Sequence, residues 1–241
     1  AYRVWISEIM LQQTRVEAVK PYYVRFLKEL PDVKALAEVP EDRLLKLWEG
    51  LGYYNRARNL KEAACQIMEK YDGRFPETYE EIRGLKGVGN YTAGAISSFV
   101  YNIPKPAVDG NVLRVVSRIT ADDGDITKAS VKAKIENEVE EVIPAEAAGD
   151  FNQSLIELGA IICVPNGEPR CGICPVKEIC LAHMEGRETE FPVKKKKKER
   201  RIEKRTVLVF RDNEKTAVRK RAGSGLLAGL YEFPGKEGHL K

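Results

Sequence analysis

Four cysteines, Cys163, Cys171, Cys174 and Cys180, fall within eighteen residues in the pattern C-x7-C-x2-C-x5-C. Pro165, Gly167, Pro169, Gly172 and Pro175 bend the loops around them. Thiolates brought this close repel one another unless a cation or a cluster neutralises them. Disulfides belong to oxidising compartments, and the start at Ala1 carries no basic-then-apolar secretion signal. The pattern therefore predicts one metal centre, zinc or iron–sulfur, and spacing alone leaves both open. The fifth cysteine, Cys65, sits in a helical pattern beside Ala64 and Met68 and reads as a small buried hydrophobe.

Upstream of and around that cluster the apolar residues recur at three- or four-residue steps, as in Val131, Ile135, Val139, Val142 and in Phe151, Leu155, Leu158, Ile162. Residues 1–190 thus read as all-α, in about ten short helices. Breakers punctuate them: Pro21 at a helix start, then Pro31, Pro40, Gly50, Gly52, Gly73, Gly84 and Pro144. The 241 residues amount to about one and a half average domains. With 43% hydrophobic and 32% charged residues, the chain is neither disordered throughout nor collagen-like. No run approaches the roughly 18 apolar residues of a membrane span.

Residues 194–205 hold nine basic and two acidic side chains and read as a solvated linker that can also touch nucleic-acid phosphate. The net charge of +4 permits a polyanionic partner without requiring one. Beyond the linker, β-rich runs at 206–210 and 216–219 flank the turn-prone residues 212–215, which predicts a hairpin opening a second domain. Its 36 residues fall below the roughly 40 that a domain needs to fold unaided, so it is expected to be frayed. Both chain ends read as cut, because Ala1 lies inside a helical pattern and Lys241 follows closely on the turn Phe233-Pro234-Gly235.

Only two histidines occur, His183 and His239, so carboxylates and cysteines must carry any chemistry. Glu8 has Val4, Trp5 and Leu11 as helical neighbours, which points a carboxylate along an apolar face. Burial there would raise its pKa, as a general acid working near neutrality requires. Asp109 and Asn111 stand at the start of another helix, where both residue types serve as N-caps. Between a helix over 78–83 and one beginning near Tyr91, Gly87 and Gly89 form a tight turn. A turn of this kind connects helices, and its glycines and the helix N-terminus that follows can also hold a phosphate without reading a base.

Taken together, these segments resemble the adenine DNA glycosylase (MutY) branch of the helix-hairpin-helix glycosylases. The resemblance rests on SEIMLQQT at 7–14, EGLGYYNRARNL at 49–60, LKGVGNYTAGAI at 85–96, VDGNVLRVVSR at 108–118, GDFNQSLIELGA at 149–160 and the four cysteines. It implies a two-lobed all-α fold, a six-helix barrel plus an iron–sulfur helical lobe, over 1–185, with a segment missing upstream of Ala1. A basic linker follows over 186–205, then a truncated α+β Nudix-like domain over 206–241, resembled by the stretch 225–235.

The resemblance further implies a [4Fe-4S] cluster on Cys163, Cys171, Cys174 and Cys180, although the loop 164–170 is one residue longer than the usual family spacing. It implies a monomeric, monofunctional hydrolase, cytoplasmic and nucleoid-associated in a bacterium, with double-stranded DNA as partner and no membrane. Its substrate would be adenine mispaired with 8-oxoguanine or guanine, flipped from the duplex before cleavage. Glu8 would protonate the departing base and Asp109 would stabilise the sugar cation, with Tyr91 and Asn111 assisting. Gln13 and Tyr53 would wedge into the base stack, and Gly87 and Gly89 would contact the DNA backbone. An endonuclease III-like glycosylase with lyase activity is the competing enzyme, disfavoured because Tyr91 stands where that group has its lysine nucleophile. A DNA-binding fragment without catalysis is the non-enzyme alternative.

Overall fold

The computed structural model describes residues 1–195, 202–225 and 227–239. They divide into two compact units, Ala1–Lys195 and Lys196–Lys241. Residues 196–201 of the predicted basic linker lie outside the described residues.

The regular structure of the first unit is all helical among the described residues. In chain order it contains α1 (Tyr2–Leu11), α2 (Val16–Glu29), α3 (Val33–Glu38), α4 (Glu41–Trp48), α5 (Asn55–Tyr71), α6 (Tyr79–Arg83) and α7 (Asn90–Tyr101). Then come α8 (Gly110–Ile119), α9 (Ala129–Val142), α10 (Ala148–Glu157) and, past the cysteine loops, α11 (Leu181–Met184). No helix among the described residues is long and apolar enough to cross a membrane.

Two apolar clusters organise these helices. The larger draws on α1 to α7 and is built around Trp5, Phe26 and Trp48, with Trp5 tilted against Phe75 at 5.5 Å and Phe26 edge-on to Trp48 at 6.1 Å. The smaller gathers Val112, Leu113 and Val116 of α8 with Ile135 and Val139 of α9. Helix α7 is buried on nearly every side from Thr92 to Ser98, as a helix at the centre of a bundle must be, and packs on α1, α6 and α10. Its position is what carries Tyr91 to α1. Gly94 lets the loop before α8 lie directly on α7, because a Cβ there would stand 1.9 Å from the Pro106 carbonyl oxygen.

Three expectations of the sequence shift in detail. Pro21 lies inside α2 rather than at a helix start; the helix begins five residues earlier at Val16 and runs through the proline. Val142 is exposed and Ile143 takes the buried place after Val139, because α9 ends at Val142 and the chain turns. The apolar series from Phe151 to Ile162 is not one α-helix, since α10 stops at Glu157 and residues Leu158–Ile162 form a π-helical turn. The wider turn lets Gly159 lie against Asn111, whose Cβ would be 2.5 Å from any Cβ at that position.

The second unit consists of short antiparallel pairs: β1 (Arg205–Val207) with β6 (Gly235–Glu237), β2 (Arg211–Asp212) with β3 (Lys215–Thr216), and β4 (Arg219–Lys220) with β5 (Tyr231–Glu232). The expected hairpin survives only at its tip, where Asp212 pairs with Lys215 around Asn213, which has a left-handed φ of 53°. Thr206 and Val207 instead pair with Lys236 and Gly235. None of its described residues is buried, and no helix occurs among them, so the described residues form no apolar core of their own.

Candidate active site and metal centre

Glu8 sits on α1 directly above the apolar cluster and is 8% exposed. Its neighbour Trp5 is fully buried, so the sequence inference of a carboxylate on an apolar face holds. Tyr91, in the first turn of α7, donates its hydroxyl to Glu8 Oε2 at 2.8 Å. Burial pushes the Glu8 carboxyl above the ordinary range, the Tyr91 hydrogen bond opposes this, and the nearby negative charge of Asp109 adds to it. Burial and the Glu8 charge push the Tyr91 phenol far up as well, so it remains a neutral donor.

Asp109 is the N-cap of α8. Its Oδ1 accepts the backbone N–H groups of Asn111 at 2.8 Å and Val112 at 2.9 Å, while its Oδ2 accepts from Asn111 Nδ2 at 2.8 Å. The capping role expected of an aspartate there is real, and it also fixes the carboxylate near Glu8. Asn111 is held in turn by Arg114, whose Nη2 donates to Asn111 Oδ1 at 2.9 Å and to the Gly159 carbonyl at 2.7 Å. The same guanidinium reaches the Cys163 carbonyl through Nε at 2.7 Å. Arg114 thus ties the aspartate's partner to the first cysteine. Sequence reading assigned Arg114 no role; an arginine in an otherwise apolar run, four residues after Gly110, was the available signal.

The four cysteines line one small pocket, together with Val115, Arg118, Leu158 and His183. Burial, Glu188 and the other three thiols push Cys171 up to about 11, and burial likewise raises Cys180. Such mutual opposition among thiolates is what a bound cation or cluster relieves. The long loop between the first two cysteines is closed at its base, where the Arg170 N–H donates to the Ile162 carbonyl at 3.0 Å, with Gly167 turning at φ 76°. The extra residue therefore leaves Cys171 facing the same pocket as Cys163. Arg118, 4% exposed, donates to Cys163 Sγ at 3.2 Å and to the carbonyls of Val164 and Phe191 at 3.1 and 3.0 Å. A histidine–carboxylate pair, His183 Nδ1 and Glu188 Oε1 at 2.6 Å, lies beside Cys171, and donor atoms of these three fall within 4.8 Å of one another. Spacing had not revealed this pair.

The hairpin lies between α6 and α7. Thr78 and Glu81 close a capping box on α6, and Leu85 and Val88 anchor the turn in the apolar cluster. Gly87 has φ +77° and lies so close to α5 that a Cβ would come 2.7 Å from Asn59 Cβ. Gly89 caps α7 with open space around it, leaving the first N–H groups of that helix without intrahelical acceptors. Gln13 and Tyr53 are exposed, and both have left-handed backbone, φ 59° and 49°. Tyr53 is 64% exposed, large for an aromatic side chain. Cys65, expected to be buried, is only half-buried on α5, and its thiol donates weakly to the Ala37 carbonyl at 3.8 Å.

Residues 6–141 match the HhH-GPD superfamily of base excision DNA repair proteins. Among curated proteins, the adenine DNA glycosylase of Schizosaccharomyces pombe is 37% identical over 97% of this chain and 59% of its own length. That of Buchnera aphidicola subsp. Schizaphis graminum is 35% identical over 100% of this chain and 69% of its own. Among solved structures, a thermostable thymine-DNA glycosylase aligns with TM-score 0.69 and 28% identity, covering 76% of this chain and 84% of that one. A trapped endonuclease III–DNA covalent intermediate aligns with TM-score 0.66 and 26% identity over the same shares. The chain spans less than two thirds of the length of several curated relatives, the fission-yeast protein included. The helical fold, the ordered motifs and these matches place the chain in the adenine DNA glycosylase (MutY) family of the HhH-GPD superfamily.

Proposed function

We propose that this chain is the catalytic portion of a monofunctional DNA glycosylase that extrudes adenine paired with 8-oxoguanine or guanine and hydrolyses its N-glycosidic bond. The observation that carries the reading is the pairing of two unlike carboxyl groups, a buried Glu8 with raised pKa and an Asp109 clamped by two backbone N–H groups. Two carboxyls held in different environments divide the work of acid and cation stabiliser.

Glu8, whose protonated form burial favours, gives its proton to a ring nitrogen of the departing adenine. The C1′–N bond then breaks with its electron pair leaving on the base, and the Asp109 side chain, held by its backbone N–H partners, stabilises the oxocarbenium-like sugar. Water attacks C1′, and the Glu8 carboxylate takes the proton that water loses. Tyr91 orients Glu8 through Oε2, and Asn111 orients Asp109 through Oδ2.

The hairpin residues Gly87 and Gly89 would present the α7 N-terminus to a phosphate, while Gln13 and Tyr53 would enter the base stack. Cys163, Cys171, Cys174 and Cys180 would hold a [4Fe-4S] cluster, which supplies a rigid anchor for the loop that Arg118 grips. We read the β-unit as the start of a Nudix-like lesion-recognising domain, on the strength of the stretch 225–235.

Endonuclease III-like lyase chemistry is the second reading, favoured by the fold likeness. It requires an amine nucleophile, and the side chain at the corresponding position is Tyr91, engaged with Glu8. Borohydride trapping decides between them. The glycosylase reading expects adenine release from an A:8-oxoguanine duplex with no trapped adduct. Efficient trapping on an oxidised-pyrimidine duplex, without adenine release, would overturn it.

A further inference from the structure

Arg56, in the first turn of α5, is 8% exposed, and its guanidinium is spent almost wholly on two neighbouring loops. Nη1 donates to the carbonyls of Ile9, Met10 and Gln12 at 2.8, 2.9 and 2.8 Å. Nη2 donates to the carbonyls of Leu51 and Gly52 at 3.0 and 3.2 Å and to Thr14 Oγ1 at 3.3 Å. The group also lies 5.3 Å from the centre of the Trp48 ring and 5.6 Å from that of Tyr53. One charged fork therefore closes the C-terminal end of α1, which leaves its last carbonyls unpaired, and grips the loop before α5 at the same time.

The two loops share a second property. Gln13, between Gln12 and Thr14, and Tyr53, next to Gly52, are both exposed and both left-handed, a conformation non-glycine residues hold only when their surroundings enforce it. Arg56 binds residues flanking each. We infer that Arg56 is a positioning residue for base extrusion: it locks the loops of Gln13 and Tyr53 to each other so that both side chains meet the base stack in one fixed arrangement. This rests on the glycosylase reading above and adds the part that sets the wedge. A lysine cannot replace the fork, because a single ammonium cannot serve two separate rows of acceptors.

The test uses the full chain carrying Arg56→Lys, with single-turnover adenine release measured on two duplexes. In one, adenine faces 8-oxoguanine and must be unpaired as it is extruded; in the other, it faces an abasic-site analogue and is already unpaired. Loss of one charge-assisted network predicts release from the paired duplex slowed about tenfold or more, with the unpaired duplex within about twofold of the parent. A 2-aminopurine at the target position reports extrusion directly, and its fluorescence rise is expected to slow with the paired duplex. In a background of Gln13→Ala and Tyr53→Ala, the Arg56→Lys effect should shrink to about twofold, since coupled residues are not additive.

Thr14→Val removes one acceptor while leaving the guanidinium in place. It should give a smaller loss of the same kind, and it serves if Arg56→Lys fails to fold. Equal loss on both duplexes, or full additivity with the wedge variants, would overturn the inference while leaving the glycosylase reading intact. A parent chain that releases adenine from neither duplex would overturn both.

Discussion

The hydroxyl of Tyr91 donates to Glu8 Oε2 at 2.8 Å, joining the start of α7 to a buried carboxyl on α1. That hydrogen bond favours the ionised carboxylate and so works against the burial that raises the Glu8 pKa. Tyr91→Phe removes it, so the Glu8 pKa should rise further. If protonated Glu8 is the acid, the high-pH limb of kcat/KM should move to higher pH in this variant. A limb that stays in place or moves down would separate Glu8 from the titration.

Glu8→Gln should stabilise the fold above the acid range. The folded-state pKa of Glu8 lies above its unfolded value, so between the two the folded state binds more protons, and parent stability falls as pH rises through that window. Glutamine has no such proton to lose, so the variant should melt higher than the parent at neutral pH and converge with it below the window. Each tenfold weakening of the Glu8 acid on folding corresponds to about 1.4 kcal/mol. Melting curves across pH check this, and a variant that melts lower at neutral pH would contradict it.

Asp109 separates charge from capping. Asp109→Asn keeps an oxygen for the N–H groups of Asn111 and Val112 but loses the acceptor of Asn111 Nδ2, so it should cost less stability than Asp109→Ala while adenine release falls about a hundredfold or more. Asp109→Ala also loses the cap, at about 1 kcal/mol of stability. Similar activity in the parent and Asp109→Asn would rule out a role for the charge.

Two hairpin glycines should respond differently. Gly87 is left-handed and crowded by Asn59, so Gly87→Ala is expected to cost about 1–3 kcal/mol and to weaken duplex binding. Gly89 has φ −95° and open space around it, so Gly89→Ala should leave the stability within about 0.5 kcal/mol of the parent. Thermal melting and salt-dependent DNA binding read both outcomes.

The fold was legible where a local rule acts alone. Apolar spacing marked the helices, glycines marked the hairpin, and the neighbours of Glu8 announced its burial. What stayed hidden depends on contacts distant in sequence. Pro21 inside α2 and the π-helical turn at Leu158–Ile162 follow from packing, the latter from the need to seat Gly159 on Asn111. Arg56 and Arg114 drew no expectation of their own, since partners that define them lie more than forty residues away, at Ile9 and Met10 for one and at Gly159 and Cys163 for the other. The hairpin expected after the linker is shorter than its apolar runs suggested, because Thr206 and Val207 pair with β6.

The most direct test of the two-carboxyl site is single-turnover adenine release from an A:8-oxoguanine duplex by the parent and by Glu8→Gln, with duplex affinity measured on both. Release by the parent, about a hundredfold or greater loss in Glu8→Gln, and affinity within about threefold are expected if Glu8 is the acid. Comparable release by both proteins would contradict that assignment.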